Sequence, residues 1–194
     1  MKINFIRHGA TAGNLEKRYI GITDEVLSEQ GISELLKLKS MLECYDLLIS
    51  SPMLRCVQTA NILFPKHEIK ICEDFRECNF GDFENKNYLE LSGNPDYQHW
   101  IDSNGTACFP NGELPENFKA RTIKAFENLL KIYHENMTII AHGGTIMAIL
   151  EKFAVPEKNY YDYQIPNAWG YATEFYQNKL HVLTKIMPKS VINC

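Results

Sequence analysis

The sequence predicts an α/β fold, a three-layer α/β/α sandwich around a mostly parallel central sheet. Three observations lead there. Short apolar runs of strand length, at residues 2–7, 45–50, 68–72 and 137–141, alternate with longer stretches whose apolar residues recur at helical spacing. Two of these runs stop abruptly in polar residues and glycine, at Arg7-His8-Gly9 and His142-Gly143-Gly144, as strands do at the ligand-binding edge of such sheets. The chain has 194 residues, 45% of them hydrophobic, enough for one domain that buries roughly 70% of its unfolded surface.

In order, residues 2–7 form the first strand, and Thr11 to Thr23 read as loop or short irregular helix. Ser28 is the expected N-cap of a helix whose buried face would carry Ile32, Leu35, Leu36, Leu38 and either Met41 or Leu42. Tyr45–Ser50 is a second strand, ended by Ser51-Pro52, and a helix follows over Met53–Leu63. Glu68–Cys72 makes a third strand. From Phe75 to about Pro115 the pattern loosens, punctuated by glycine and proline, with short helical pieces expected at Lys86–Leu91 and Asp96–Ile101. A loose stretch of that length suits a lid or binding segment over about 79–115. The longest helix runs from Pro115 to about Tyr133, with Phe118, Thr122, Ala125, Phe126, Leu129 and Leu130 on one side. Met137–Ala141 is the fourth apolar strand, and a helix follows from about Thr145 to Phe153. Gly170–Gln177 and Lys179–Ile186 form a terminal hairpin, placed either at an edge or interface or in internal packing. With no repeat, low-complexity tract or linker, residues 1–194 read as a single domain.

Composition narrows the function classes. A net charge of −4 gives no basis for nucleic-acid or anionic-membrane binding. No apolar run approaches the roughly 20 residues that span a bilayer, and the N-terminus lacks the pattern of a signal peptide. The six cysteines, at 44, 56, 72, 78, 108 and 194, form no CxxC pair, so zinc and dithiol redox chemistry have no spacing to support them. A cytoplasmic protein with reduced thiols is expected.

The chemistry-bearing residues gather at strand ends. In Arg7-His8-Gly9, arginine suits bidentate capture of phosphate oxygens, histidine can serve as nucleophile or general base, and glycine lets the backbone turn close to a ligand. Ser50-Ser51-Pro52 leads to Arg55 in the first turn of a helix and on to Gln58-Thr59-Ala60. Phe75-Arg76-Glu77 leads to Gly81, and Ala141 precedes His142-Gly143-Gly144. Singly, each such residue is more often structural. Together, Arg7-His8-Gly9 with Thr11 and Asn14, Ser51-Pro52…Arg55…Gln58-Thr59-Ala60, Arg76-Glu77…Gly81 and His142-Gly143-Gly144 resemble the blocks of the histidine phosphatase superfamily, the phosphoglycerate-mutase-like fold, in that family's order.

The resemblance implies roles. His8 would be the nucleophile that takes the phosphoryl group. Arg7, Arg55 and a protonated His142 would surround the phosphate, with Asn14 as a further contact and backbone amides near Gly9 and Gly143 as neutral donors. Glu77 would be the general acid and then the base, which requires a raised pKa. No metal or other cofactor is implied, since arginines and histidine take the cation's place. The other histidines, His67, His99, His134 and His181, read as structural. Within the family, residues 79–115 offer aromatic and acidic side chains and one lysine, Lys86, so they lack a second cationic clamp for a bisphosphorylated or carboxylate-bearing substrate. Their aromatics either stack on a flat heterocycle or pack beneath the lid. Chain length and Phe109-Pro110-Asn111-Gly112-Glu113 resemble the α-ribazole phosphatase branch, from which Leu114 and Met147 depart where serine and arginine are expected. The expected partner is therefore a small-molecule phosphate monoester, best matched by α-ribazole-5′-phosphate. A broad-specificity phosphatase and a cofactor-dependent phosphoglycerate mutase are the alternatives, with a non-catalytic phospho-ligand binding module beyond them. Oligomeric state is not legible.

Overall fold

In the computed structural model, which describes residues 1–42 and 45–188, the four apolar runs become neighbouring parallel strands. β1 (Lys2–Arg7), β2 (Leu47–Ser50), β3 (Ile69–Ile71) and β4 (Met137–Ala141) pair in the order β3-β2-β4-β1. β2 and β4 are buried at every position, as strands covered on both faces must be. Beyond β1 the sheet turns antiparallel with the terminal hairpin, β6 (Gly170–Tyr176) on β1 and β7 (Lys179–Ile186) on β6. Its loop places Gln177 and Asn178 at φ 51° and 59°, the left-handed pair of a tight hairpin turn. A two-residue strand, β5 (Ala154–Val155), lies parallel to the start of β7 and closes a sheet of seven strands. Thus β6 is internal, while β7 is covered by β5 only at Leu180 and His181.

The described residues form six helices, α1 (Ala12–Leu15), α2 (Glu29–Lys39), α3 (Leu54–Leu63), α4 (Pro95–Asp102), α5 (Pro115–Ile132) and α6 (Gly143–Phe153), of which α2, α3, α5 and α6 cover the sheet. Alternation along the strands sorts the core into two layers. Ile3, Phe5, Leu47, Ile49, Met137 and Ile139 meet Phe126, Ile146 and Ile149 of α5 and α6. Ile6, Leu48 and Ile140 meet Leu35, Leu38, Cys56, Ala60 and Leu63 of α2 and α3 on the opposite face. Fully burying a side chain such as Phe126 or Leu35 contributes about 1.5–3 kcal/mol. The expected α/β/α sandwich with a mostly parallel sheet is thereby observed.

Several local expectations change. In α2 the buried stripe is Gly31, Leu35 and Leu38, while Ile32 and Leu36 are exposed; just beyond the helix Met41 is exposed and Leu42 is the one that packs, half-buried, against the core. The cause is close approach: a Cβ at Gly31 would overlap the Ala10 carbonyl, so only a narrow face meets the body of the protein. Tyr45 and Asp46 precede β2 rather than belonging to it. Residues 86–91 do not extend into a helix: Asn87 and Glu90 exchange the bonds of a helix cap, but a single i to i−4 bond, Leu91 N to Asn87 O at 3.0 Å, follows before the chain turns at Gly93 with φ 81°. α6 begins at Gly143, two residues earlier than expected. Cys44 and Cys194 fall outside the described residues, and Cys56, Cys72, Cys78 and Cys108 are free thiols. No helix among the described residues is long and apolar enough to cross a membrane.

The loose segment owes its path to left-handed residues at its corners, Gly81, Asn85, Gly93, Asn104, Gly105 and Asn111, each with φ between 54° and 81°. Between them, Phe83, Leu91 and Phe109 bury against Phe118 and Ala148, with Tyr19, Phe80, Tyr97 and Trp100 packed around them. Most of the aromatic residues therefore serve a satellite core beside the sheet.

Candidate active site

Strand register assembles the site. β1 and β4 end level, with Arg7 opposite Ala141, and the His8 amide continues the ladder by donating to the Ala141 carbonyl at 3.0 Å. The Ser51 amide does the same to Ile140 at 3.0 Å. His8, His142 and Ser51 are thus set in a row along the C-terminal edge of three adjacent parallel strands. The imidazoles of His8 and His142 meet edge-on, with ring centroids 5.1 Å apart. α3 starts just past β2 and brings Arg55 in its first turn.

His8 is nearly closed off from solvent, and its Nδ1 lies 2.7 Å from the Gly9 carbonyl. A carbonyl only accepts, so Nδ1 carries the proton and Nε2 keeps its lone pair. Burial and the charges of Arg55 and Arg7 hold the His8 pKa well below the usual imidazole value, which keeps the ring neutral. His142 is shifted the same way, by burial first and then by Arg55, His8 and Arg7. This shift opposes the protonated His142 expected from the sequence, so that proton depends on a neighbouring negative charge. His142 Nε2 lies 2.8 Å from the Ser51 hydroxyl.

The two arginines are fixed through part of each guanidinium only. Arg55 is fully buried and donates from Nη1 to Thr23 O and from Nη2 to Gly21 O, both at 2.8 Å. Arg7 donates from Nη1 to Ile165 O at 2.7 Å. The Nε of each is buried and, among the described residues, has no hydrogen-bond partner. Neither arginine belongs to an ion pair among the described residues. A buried and a half-buried cation beside two imidazoles with lowered pKa values leave positive charge uncompensated, an arrangement that an anion would relieve.

Glu77 is the carboxyl nearest in effect to this cluster. It is buried, and its oxygens accept from the amides of Cys78 and Gly144, each at 3.0 Å. Burial raises its pKa against the opposing pull of those two amides, Arg55 and Arg7. A Cβ on Gly144 would run into Glu77 Oε1, so that glycine is required by the carboxyl's position. Asn14 caps α1 with Thr11, and its Oδ1 accepts from Thr11 N and from Asn167 Nδ2, both at 3.2 Å. That leaves its amide NH₂ to donate outward.

A cavity of about 750 Å³ opens over this edge. Arg7, Asn14, Glu77, Gly143 and Gly144 line its inner end, while His8, Arg55 and His142 are buried and do not line it. Phe80, Trp100, Phe109, Phe118, Tyr160 and Tyr161 form apolar walls. Its other cations, Arg18 and Lys119, are already paired: Arg18 with Glu90 and Lys119 with Glu151, each at 2.6 Å. His99 and Arg76 face away; Arg76 pairs at the surface with Glu73, and Lys86 donates to the Asp82 carbonyl.

The proposed set Arg7, His8, Asn14, Arg55, Glu77, His142 and Gly143 thus converges on one region. Gly9 differs in its reason: a Cβ there would strike Leu35, so the glycine serves packing against α2. Its amide, expected as a ligand donor, is engaged by Thr59 Oγ1 at 3.0 Å. Sequence reasoning gave no role to Asn167, which steadies Asn14 and the His8 carbonyl, or to Tyr160, whose hydroxyl reaches Gly144 O. It also passed over Arg121, which carries no cue beyond standing on the flank of the apolar face of α5. Ser51 belongs to the Ser51-Pro52 motif, and only the geometry shows that its hydroxyl holds His142.

Comparison with known proteins adds the following. The model of the histidine phosphatase superfamily (branch 1) matches residues 3–186. The adenosylcobalamin/alpha-ribazole phosphatase of Escherichia coli (strain K12) is 25% identical over 159 residues, 78% of each chain. A 2,3-bisphosphoglycerate-dependent phosphoglycerate mutase of Rhizobium etli is 29% identical over 161 residues, 74% of this chain and 76% of its own. The crystal structure of the alpha-ribazole phosphatase from Shigella flexneri superposes with a TM-score of 0.86 at 22% identity, covering 97% of this chain and 96% of its own, a likeness of fold.

Proposed function

This chain belongs to the histidine phosphatase superfamily, branch 1, and on that premise we propose that it hydrolyses small phosphate monoesters through a phosphohistidine on His8. The observation that carries the proposal is the pair of guanidiniums beside His8, the buried Arg55 and the half-buried Arg7, each with a buried Nε unpartnered among the described residues. The substrate phosphate supplies the missing anion. Arg7, Arg55 and the amide of Asn14 hold its oxygens, and charge accumulating there in the transition state meets donors already in place. His142 stays neutral until the anion arrives and gains affinity for a proton beside it.

In the first step the Nε2 lone pair of His8 attacks phosphorus as the phosphorus–oxygen bond to the leaving group breaks. Glu77 gives its proton to the departing oxygen. In the second step the Glu77 carboxylate takes a proton from water, the water oxygen attacks phosphorus, and the phosphorus–nitrogen bond breaks to free His8 and inorganic phosphate. The raised Glu77 pKa supports the first role, since the carboxyl must arrive protonated. The chemistry asks nothing of a metal.

For the substrate body we favour an uncharged heterocyclic group, with α-ribazole-5′-phosphate the best match. The paired state of Arg18 and Lys119 argues against a second anion, and Phe80, Trp100 and Phe109 offer apolar wall for a flat ring. Segment 79–115 then works as the wall, or lid, of the pocket. Purified protein assayed on p-nitrophenyl phosphate, α-ribazole-5′-phosphate and 3-phosphoglycerate decides the matter. The highest kcat/KM is expected on α-ribazole-5′-phosphate. A flat profile would mean a broad-specificity phosphatase, and phosphoglycerate interconversion stimulated by 2,3-bisphosphoglycerate would overturn the phosphatase reading.

A further inference from the structure

We propose that Arg121 and Glu113 form a clamp that positions Glu77 for proton transfer, an inference that rests on Glu77 being the proton donor of the reaction above. Arg121, on α5, uses all its donors locally. Its Nε and Nη2 grip Glu113 Oε1 and Oε2 at 2.7 and 2.9 Å. Nη1 donates to the carbonyls of Asp74 and Arg76 at 2.7 and 2.9 Å, and Nη2 to the carbonyl of Glu77 itself at 3.1 Å. Five donors thus meet five acceptors, and three of those are backbone carbonyls of the segment that delivers Glu77.

Glu113 secures the other side. Its amide donates to the Asn79 carbonyl at 2.9 Å, and its Oε2 accepts from Asn79 N at 3.4 Å. The backbone on both sides of Glu77 is therefore pinned to one ion pair whose partners are each 20% exposed. No other side chain among the described residues is hydrogen-bonded to the carbonyls of Asp74, Arg76 and Glu77. Proton transfer is sensitive to placement on the scale of 1 Å, so a clamp of this kind acts on rate rather than on affinity.

The pair also manages charge. The groups that bear on Glu77 are Arg7 on β1, Arg55 and Cys56 on α3, Arg121 on α5, and the neighbouring Cys78 and Tyr160. Arg7 and Arg55 pull the carboxyl toward ionisation. A third free cation at Arg121 would add to that pull, and Glu113 cancels it.

The test compares kcat/KM on benzyl phosphate, whose alkoxide must be protonated as it leaves, and on p-nitrophenyl phosphate, whose phenolate leaves unaided. The variants are Glu77→Gln, Arg121→Lys and Glu113→Gln, each checked for folding by its thermal midpoint. Glu77→Gln should lower the benzyl to p-nitrophenyl ratio by about 100-fold or more, the scale of general acid catalysis. Arg121→Lys and Glu113→Gln should each lower it at least about tenfold, and Glu113→Gln should also move the alkaline limb on benzyl phosphate to lower pH. If Glu77→Gln leaves the ratio unchanged, the proton-donor reading fails. If Glu77→Gln lowers it while both other variants, or whichever of them folds, leave it unchanged, the clamp is merely structural and this inference falls.

Discussion

At the scale of single residues, the decisive features are protonation states imposed by burial. The Gly9 carbonyl fixes the proton of His8 on Nδ1, and neighbouring cations keep the ring neutral, so the proposed nucleophile needs no base. Glu77 is shifted in the opposite sense and holds its proton above the ordinary carboxylate range. The two shifts work together, enlarging the fraction of chains with His8 neutral and Glu77 protonated at once, the state phosphoryl transfer needs. His8 loses its proton below the usual imidazole value near 6.5. Glu77 keeps its proton above the usual glutamate value near 4.3, so the rate falls only as pH rises through the raised Glu77 pKa. A pH profile of kcat/KM on an alkyl phosphate should therefore descend on its alkaline side, and the Glu77→Gln chain should lack that descent. A wild-type profile flat on that side would contradict the acid role. The residues of the cluster were legible because their types and order are unusual together. Asn167 and Arg121 were not, since an asparagine after the last block and an arginine beside an apolar helix face look like any surface residue.

At the scale of elements, strands and helix starts explain why the site forms where it does. Register alone sets His8, His142 and Ser51 side by side, and the alternation of β1, β2 and β4 commits their other residues to two separate cores. This much could be read from apolar runs that stop at polar residues. The helical face of α2 could not, because periodicity gives the stripe but not its width; the contact of Gly31 with Ala10 narrows it. Nor could the turns at 86–91, where Asn87 caps a single helical turn that the left-handed Gly93 then ends. At the head of α5 the N-cap position is Leu114, exposed and without a side-chain cap, followed by Pro115. The replacement Leu114→Ser should supply that cap and raise unfolding free energy by about 1 kcal/mol. Chemical denaturation measures it, and an unchanged or lower midpoint would show that leucine has a contact here worth more than the cap.

At the scale of the whole molecule, the fold holds an electrostatic debt at the end of its sheet. Arg55 lies buried and Arg7 half-buried beside two imidazoles whose pKa values are held low, and the remaining cations of the cavity are matched by carboxylates. Binding an oxyanion to the native state should therefore stabilise it by about 2.7 kcal/mol at 100 times the dissociation constant, or roughly 5–10 °C in midpoint. Vanadate or phosphate titrated in a thermal-shift experiment should show this, and Arg55→Gln should abolish most of the gain. The gross architecture was legible because an alternating apolar pattern leaves few alternatives. The cavity's specificity was less so, since residues 79–115 divide between a satellite core and a wall, and sequence does not say which aromatic does which.

The central claim is that phosphorus passes through His8. Rapid mixing with a slowly turned-over monoester, followed by alkaline quench and intact-mass and peptide analysis, tests it directly. One phosphoryl group per chain is expected, acid-labile, mapped to His8, and absent from the His8→Ala chain, whose turnover should fall by at least about 1,000-fold. Phosphate on another residue, or undiminished turnover without His8, would contradict it.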